Sequence, residues 1–141
     1  MSFTQRIATK AFILCKGKVL IVRESEQYKD GTNFGKYDLP GGKIEPGERW
    51  QDALTRELQE EVGLTDVTIG LPLYVGEWRP IVQGNQLQII GIFFECHTEN
   101  NHVILGKDHG EYQWIDPKDY ANYPLIENTI AVFQTYLQKQ P

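Results

Sequence analysis

The fold is decided by residues 42–64, which read GKIEPGERWQDALTRELQEEVGL. Within this stretch, three carboxylates fall in five consecutive positions: Glu57, Glu60 and Glu61. On an α-helix, with about 100° and about 1.5 Å per residue, they share one face within about 6 Å along the axis. Each like-charge pair at this spacing costs about 0.2–0.5 kcal/mol, so the pattern predicts a cation on that face. A divalent ion that prefers oxygen ligands, Mg²⁺ or Mn²⁺, suits such donors.

The same stretch carries the marks of an amphipathic helix. Its apolar residues recur at i, i+4 and i+8: Leu54, Leu58 and Val62. This stripe is typical of a helix that packs on a sheet. Gly63 is suited to the left-handed residue that ends a helix, whereas Arg49 is a poor residue type for the N-cap. We therefore predict a helix from about Trp50 to Val62.

Strand-like runs lie on both sides of this helix. They are residues 7–15, 18–22, 37–39, 67–69, 73–81, 86–97, 102–105 and 111–115. Residues 87–96 are almost continuously apolar, which favours a central strand buried on both faces. A turn is expected at residues 82–85. Pro40-Gly41-Gly42 is expected to break the strand at residues 37–39 and to form a loop. A last helix is expected over residues 126–138. A mixed sheet between helices follows, which is the α/β class.

Composition and charge limit the functional classes. A chain of 141 residues is expected to form one domain, residues 1–141. Its net charge of −5 argues against a general nucleic-acid binder, which needs a basic surface. No apolar run approaches 18 residues and the first ten residues lack an apolar core, so we expect a cytoplasmic protein without a membrane partner. Cys15 and Cys96 lie in apolar runs and are interpreted as buried thiols.

The order and spacing in residues 42–64 resemble the Nudix box, G-x5-E-x7-R-E-U-x-E-E-x-G-U with U aliphatic. All nine specified positions are filled: Gly42, Glu48, Arg56, Glu57, Leu58, Glu60, Glu61, Gly63 and Leu64. The preceding residues 37–42, YDLPGG, are similar to the usual lead-in of the Nudix hydrolase family. A nine-position pattern is a specific signal. The resemblance implies the Nudix fold, an α/β/α sandwich with a mixed central sheet.

The resemblance also implies a set of metal ligands. These are Glu57, Glu60 and Glu61, together with the backbone carbonyl of Gly41. Glu48, Arg56 and Gly42 are expected to support the ligating carboxylates, a role that orients them around Mg²⁺ or Mn²⁺. A bound cation of this kind would neutralise phosphate charge and polarise a water molecule.

The general base is open between two places in the chain. In the family it is either a box glutamate, here Glu57, or an acidic residue of a later loop, here Asp108 or Glu111. Of the two loop residues we favour Glu111. His109 between them is a candidate for contact with phosphate. The candidate catalytic residues are therefore Glu57, Glu111, Asp108 and Arg56.

For the substrate, the resemblance implies a nucleoside diphosphate linked to a further group. Arg23 and Arg79 are candidates for phosphate contact, and Phe34 and Asn128 for contact with the nucleoside. Three more aromatic residues are possible contributors to a nucleoside site: Tyr28, Tyr74 and Trp78. The expected partner is a small-molecule nucleotide, with the protein as a monomer or a homodimer.

Two cues on the substrate conflict. Pro80, sixteen residues after Leu64, is similar to a marker of ADP-ribose pyrophosphatases. The short segment before the first predicted strand is instead similar to enzymes that cleave nucleoside triphosphates. A (d)NTP is our first expectation, and ADP-ribose or a nucleotide sugar is the alternative. A non-catalytic nucleotide-binding module is less consistent with an intact box, and RNA processing is less consistent with the acidic charge.

Overall fold

The structure is a computed structural model that describes residues 2–25 and 35–141. In chain order its strands and helices are β1 (Thr4–Cys15), β2 (Lys18–Glu24), β3 (Tyr37–Asp38), β4 (Gly41–Lys43), α1 (Trp50–Val62), β5 (Thr68–Trp78), β6 (Ile81–Val82), β7 (Asn85–His97), β8 (His109–Ile115) and α2 (Glu127–Lys139). A 3₁₀ helix, Pro117–Asn122, precedes α2.

The strands form a mixed sheet in the order β3-β2-β1-β7-β5. β1 and β7 run parallel, and their register extends from Thr4↔Leu87 to Leu14↔His97. The other pairs are antiparallel: β2 with β1, β3 with β2, β4 with β1, β8 with β2, β5 with β7, and β6 with β7. β7 therefore lies between β1 and β5, as expected for the central strand.

One helix covers each face of the sheet. The buried face of α1 packs with Ala11, Ile13, Leu20 and Val22. The alternate residues of the same strands, Phe12, Leu14, Val19 and Ile21, pack with Val132 and Phe133 of α2. This alternation follows from the two-residue period of a strand. The predicted α/β/α sandwich with a mixed sheet is confirmed.

The bounds of α1 agree with the prediction. It starts at Trp50 after Arg49, which makes no side-chain capping hydrogen bond. It ends at Gly63, whose φ is 70° and whose N–H donates to the Gln59 carbonyl. Glycine adopts this left-handed conformation without a steric cost. Across residues 2–25 and 35–141, no helix has the length and apolar character needed to cross a bilayer.

Pro40-Gly41-Gly42 was expected to break the strand at residues 37–39 and to form a loop. The strand does end there, since β3 stops at Asp38, but the expected loop at the glycines is wrong. Gly41 and Gly42 belong to β4 and pair with Lys10 and Thr9 of β1. The φ of Gly41 is +137°, and a Cβ there would lie 2.2 Å from the Thr9 carbonyl oxygen. The missing side chain is what allows β4 to approach β1 so closely.

Three further predictions differ from the structure. Residues 67–69 and 73–81 were expected as two strands, but β5 joins most of both, with register shifts around Pro72, which has no N–H to donate. β5 ends at Trp78, and Ile81 belongs to the separate strand β6. Residues 102–105 form no regular strand. Instead, the N–H groups of Ile104 and Gly106 donate to the carbonyls of Val62 and Glu61. This segment therefore satisfies carbonyls at the end of α1.

Docking of α1 on the sheet depends on its apolar stripe. Leu58→Ala removes a side chain that is 1% exposed, and we expect it to lower the free energy of unfolding by about 2–5 kcal/mol. Leu71, which is 81% exposed, supplies the control, since Leu71→Ala is expected to change stability by less than about 0.5 kcal/mol. Urea denaturation measures both. Equal losses in the two variants would contradict this account of the core.

Candidate active site

The carboxylate face of α1 opens into a cavity of about 230 Å³, which we call the carboxylate cavity. It is lined by Glu57, Glu60, Glu61, Gly106, Lys107, Asp108 and His109. The structure thus brings the box glutamates and the loop before β8 to one place. The contact is fixed at the backbone, because the Gly106 N–H donates to the Glu61 carbonyl.

Glu61 lies deepest of the three glutamates. Its Oε1 accepts a hydrogen bond of 2.9 Å from the Gly41 N–H. Burial raises the pKa of Glu61 to about 8, although the nearby charge of Lys10 and the Gly41 hydrogen bond act to lower it. Because the ionised form is poorly solvated here, a bound cation would stabilise it strongly.

Arg56 organises the neighbouring carboxylates. Its guanidinium binds both oxygens of Glu48, with Nε 2.8 Å from Oε2 and Nη2 3.0 Å from Oε1. Nη1 reaches Glu57 Oε1 at 3.0 Å and Glu60 Oε2 at 3.4 Å. Hydrogen bonds from Arg56 lower the pKa of Glu48 to about 2. These contacts are of the kind expected for the supporting role of Glu48 and Arg56.

Gly42 lies directly against the carboxylate of Glu57. A Cβ at Gly42 would lie 2.5 Å from the Glu57 Cδ and 2.6–2.7 Å from its two carboxylate oxygens. Any side chain at this position would therefore displace the carboxylate. Burial raises the pKa of Glu57, against the opposing contacts of Arg56.

His109 lines the carboxylate cavity at the start of β8. Burial, with a contribution from the charge of Lys10, lowers its pKa, so the ring is neutral near pH 7. Its Nδ1 is buried and makes no hydrogen bond to any of the described residues. Asp108, one position earlier, supplies the carboxylate of this loop that faces the cavity.

Glu111 occupies a different position. On β8 it lies opposite Arg23 of β2, and its Oε1 is 2.7 Å from Arg23 Nη2. The Tyr37 hydroxyl donates to its other oxygen, and the Arg23 guanidinium lies 5.4 Å from the centre of the Tyr37 ring. Both oxygens of Glu111 thus have partners, and neither Glu111 nor Arg23 lines the carboxylate cavity. Their predicted roles as base and phosphate contact stay predictions.

The donors of the carboxylate cavity suit Mg²⁺ or Mn²⁺ chemically, since they are carboxylate oxygens. Within residues 2–25 and 35–141, however, no three acidic, histidine or cysteine side chains are close enough together to enclose a metal ion. Arg56 holds Glu57 and Glu60, while the Gly41 N–H holds Glu61. The donor types and their shared cavity fit a divalent ion, and its binding requires the three carboxylates to move closer together.

A second cavity, of about 470 Å³, lies on the α2 side, and we call it the aromatic cavity. It is lined by Asp38, Glu77, Trp78, Arg79, Pro80, Phe93, Ile126, Glu127 and Asn128. Two predicted substrate contacts, Arg79 and Asn128, are therefore in one place. Arg79 Nε binds Glu77 Oε2 at 2.8 Å, and Asn128 Nδ2 donates to the Glu77 carbonyl at 3.3 Å.

Other predicted substrate contacts are placed differently. Phe34 and Tyr28 lie outside the described residues. Tyr74 packs on Phe93, with ring centres 6.0 Å apart, and belongs to the core on the α2 side. The sequence reasoning missed Asp38, Glu77 and Glu127, because no local pattern connects these carboxylates, which lie far apart in the chain.

Comparison with known proteins decides the family. The family model of the NUDIX domain matches residues 4–135. The chain belongs to the Nudix family. Among its relatives, this Nudix protein is 33% identical over 101 residues to "Nucleoside triphosphatase NudI" of Escherichia coli O1:K1, an alignment covering 67% of this chain and 72% of the relative.

Solved Nudix-type structures agree. The MutT protein of Methanosarcina mazei Go1 superposes with a TM-score of 0.75 at 26% identity, over 99% of this chain and 97% of that one. The E. coli dihydroneopterin triphosphate pyrophosphohydrolase also has a TM-score of 0.75, at 15% identity over 99% and 100% of the two chains, which shows the fold alone. The resemblance seen in the box is confirmed, and the protein is a Nudix hydrolase acting on phosphoric anhydrides.

The raised pKa of Glu61 gives a prediction on stability without metal. An unfolded glutamate titrates near 4.5, but folded Glu61 keeps its proton up to about pH 8. Between these values the folded state binds more protons, so this group lowers stability as the pH rises. The unfolding free energy of wild type, minus that of Glu61→Gln, should fall from pH 5 to pH 8 in chelator-treated protein. The exposed Glu99→Gln is the control. A difference that stays constant or rises would contradict the burial of Glu61.

Proposed function

We propose that this Nudix hydrolase is a pyrophosphohydrolase of nucleoside triphosphates that uses Mg²⁺ or Mn²⁺. The main support is the presence of two cavities of different chemistry in the described part of the chain. The carboxylate cavity offers oxygen donors, and the aromatic cavity offers ring faces with polar groups at its edge. The printed activity of the NudI relative, nucleoside triphosphatase, agrees with this combination.

The charge of the aromatic cavity supports one orientation of the substrate. Three carboxylates line it, and its cation Arg79 is already paired with Glu77. Phosphate groups would be repelled there, whereas a nucleobase can stack on the partly exposed Trp78. A volume of about 470 Å³ lies in the range of small-molecule sites. The nucleoside is therefore assigned to the aromatic cavity and the phosphates to the carboxylate cavity.

In the carboxylate cavity, Glu57, Glu60, Glu61 and the Gly41 carbonyl would hold the metal ion. A bound ion of this kind supplies charge neutralisation for the phosphates and lowers the pKa of a coordinated water. Arg56 and Glu48 orient the carboxylates. Glu57 and Asp108, which line this cavity, and Glu111, which does not, are the candidates to accept the proton of the attacking water.

ADP-ribose or a nucleotide sugar is the second candidate substrate. The observation in its favour is that Pro80, similar to a marker of ADP-ribose pyrophosphatases, lines the aromatic cavity. The two substrate classes share a nucleoside and a diphosphate and differ in the second group. Cleavage products therefore distinguish them.

A substrate panel tests the proposal. We expect phosphate or pyrophosphate release from nucleoside triphosphates with Mg²⁺ or Mn²⁺, and a slower reaction with ADP-ribose and nucleotide sugars. Glu61→Gln should lower kcat/KM by more than about 100-fold, because it removes a ligand of the metal ion that supplies several kcal/mol of transition-state charge stabilisation.

Glu99→Gln is the matched control, since Glu99 is exposed and lines neither cavity. It should keep wild-type activity. Wild-type protein that hydrolyses no nucleotide, or a Glu61→Gln variant with full activity, would refute the proposed function. Faster cleavage of ADP-ribose than of any nucleoside triphosphate would select the second candidate.

A further inference from the structure

A buried cation, Lys10, binds a carboxylate of the aromatic cavity and lies close enough to Glu61 and Glu57 of the carboxylate cavity for their charges to interact. Lys10 is 8% exposed, and its Nζ is 2.8 Å from Asp38 Oδ2. The other oxygen of Asp38 accepts hydrogen bonds from the Thr129 hydroxyl at 2.8 Å and from the Leu39 N–H at 2.7 Å. Thr129 is fully buried. We call Lys10, Asp38 and Thr129 the buried bridge.

The buried bridge connects the elements that build both cavities. Lys10 belongs to β1 and is the register partner of Gly41, whose N–H holds Glu61. Asp38 ends β3 and lines the aromatic cavity. Thr129 is in the first turn of α2, directly after two residues that line the same cavity, Glu127 and Asn128. The buried bridge thus connects β1, which pairs with Gly41 beside Glu61, to β3 and α2, which line the aromatic cavity.

Electrostatics hold the bridge in place. Burial alone would lower the pKa of Lys10, but the negative charges of Asp38, Glu61 and Glu57 outweigh it and raise the pKa. The ammonium group therefore stays charged. A buried charge without a partner is strongly unfavourable, so Asp38 cannot leave Lys10 without a large cost. The Thr129 hydroxyl and the Leu39 N–H donate hydrogen bonds to the other oxygen of the Asp38 carboxylate.

We propose that Lys10, Asp38 and Thr129 are positioning residues that set the register of a nucleoside triphosphate across the two cavities, and so determine which phosphoanhydride bond is cleaved. This inference rests on the proposed function. If the nucleobase lies in the aromatic cavity, the distance from that cavity to the carboxylate cavity determines which phosphorus lies beside the carboxylates of α1.

The two possible cleavages have different products. Water that cleaves the bridge between the α- and β-phosphorus gives a nucleoside monophosphate and pyrophosphate. Water that cleaves the bridge between the β- and γ-phosphorus gives a nucleoside diphosphate and orthophosphate. In either case one P–O bond forms to the water oxygen and one P–O bond breaks, while the proton of water passes to the general base of the enzyme. The ratio of the products therefore reports the register directly.

Thr129→Val tests the inference with little change of shape. It removes the hydroxyl that binds Asp38, and Thr129→Ser retains it. Thr135→Val is the matched control, because the Thr135 hydroxyl on the same helix donates to the Ala131 carbonyl at 2.8 Å and touches neither cavity. Lys10→Met removes the charge of the bridge. The reactions are run in ¹⁸O-labelled water with one nucleoside triphosphate and Mg²⁺.

We expect wild type, Thr129→Ser and Thr135→Val to share one dominant cleavage and one position of the label. Thr129→Val should raise the fraction of the minor cleavage several-fold and lower kcat/KM by about 10-fold. Lys10→Met should lower kcat/KM by up to about 100-fold, as expected for a misplaced substrate. If Lys10→Met does not fold, Thr129→Val still gives the result.

An unchanged product ratio and label position in folded Thr129→Val would overturn the inference, even if the overall rate falls, because a purely structural role lowers rate without changing the cleaved bond. Wild-type protein without activity on any nucleoside triphosphate would instead remove the proposed function, and the inference with it. The two failures are distinguished by the activity of the wild type.

Discussion

The close packing of negative charge on α1 is the constraint on which the site depends. Glu57 and Glu61 are partly buried on the same helix face, where solvent cannot fully stabilise their ionised forms. A small set of positive and polar groups stabilises these carboxylates, namely Arg56, Lys10 and the Gly41 N–H. Lys10 reaches the carboxylates from β1, the Gly41 N–H from β4 and Arg56 from α1 itself. The charge pattern of one helix therefore determines what β1 and β4 must supply.

The two glycines before the helix illustrate this dependence. Gly41 lets β4 lie against β1 and points its N–H at Glu61, whereas Gly42 leaves room for the carboxylate of Glu57. The same pairing places Lys10 beside Gly41 and so next to Asp38. The electrostatics of the carboxylate cavity and the wall of the aromatic cavity are therefore coupled through one short stretch of backbone.

Local spacing made α1 predictable, and long-range pairing made the rest of the site hard to predict. The helix period alone places three carboxylates on one face, and Gly63 marks the end of the helix. The contacts of Lys10 with Asp38, of Asp38 with Thr129 and of Arg23 with Glu111 join residues 28 to 91 positions apart. They depend on sheet register, which has no local signature. One signal was available: Lys10 is the only charged residue in the apolar run of residues 7–15, and a charge in a buried strand needs a partner.

The central claim is that one substrate spans both cavities, with its metal ion at the carboxylates of α1. A crystal structure with Mn²⁺ and a non-hydrolysable nucleoside triphosphate, with the anomalous signal of manganese measured, tests it most directly. We expect a manganese peak bound by Glu57, Glu60 and Glu61, with the phosphates beside it and the nucleobase between Trp78 and Asn128. A manganese peak elsewhere on the protein, or a base outside the aromatic cavity, would contradict it.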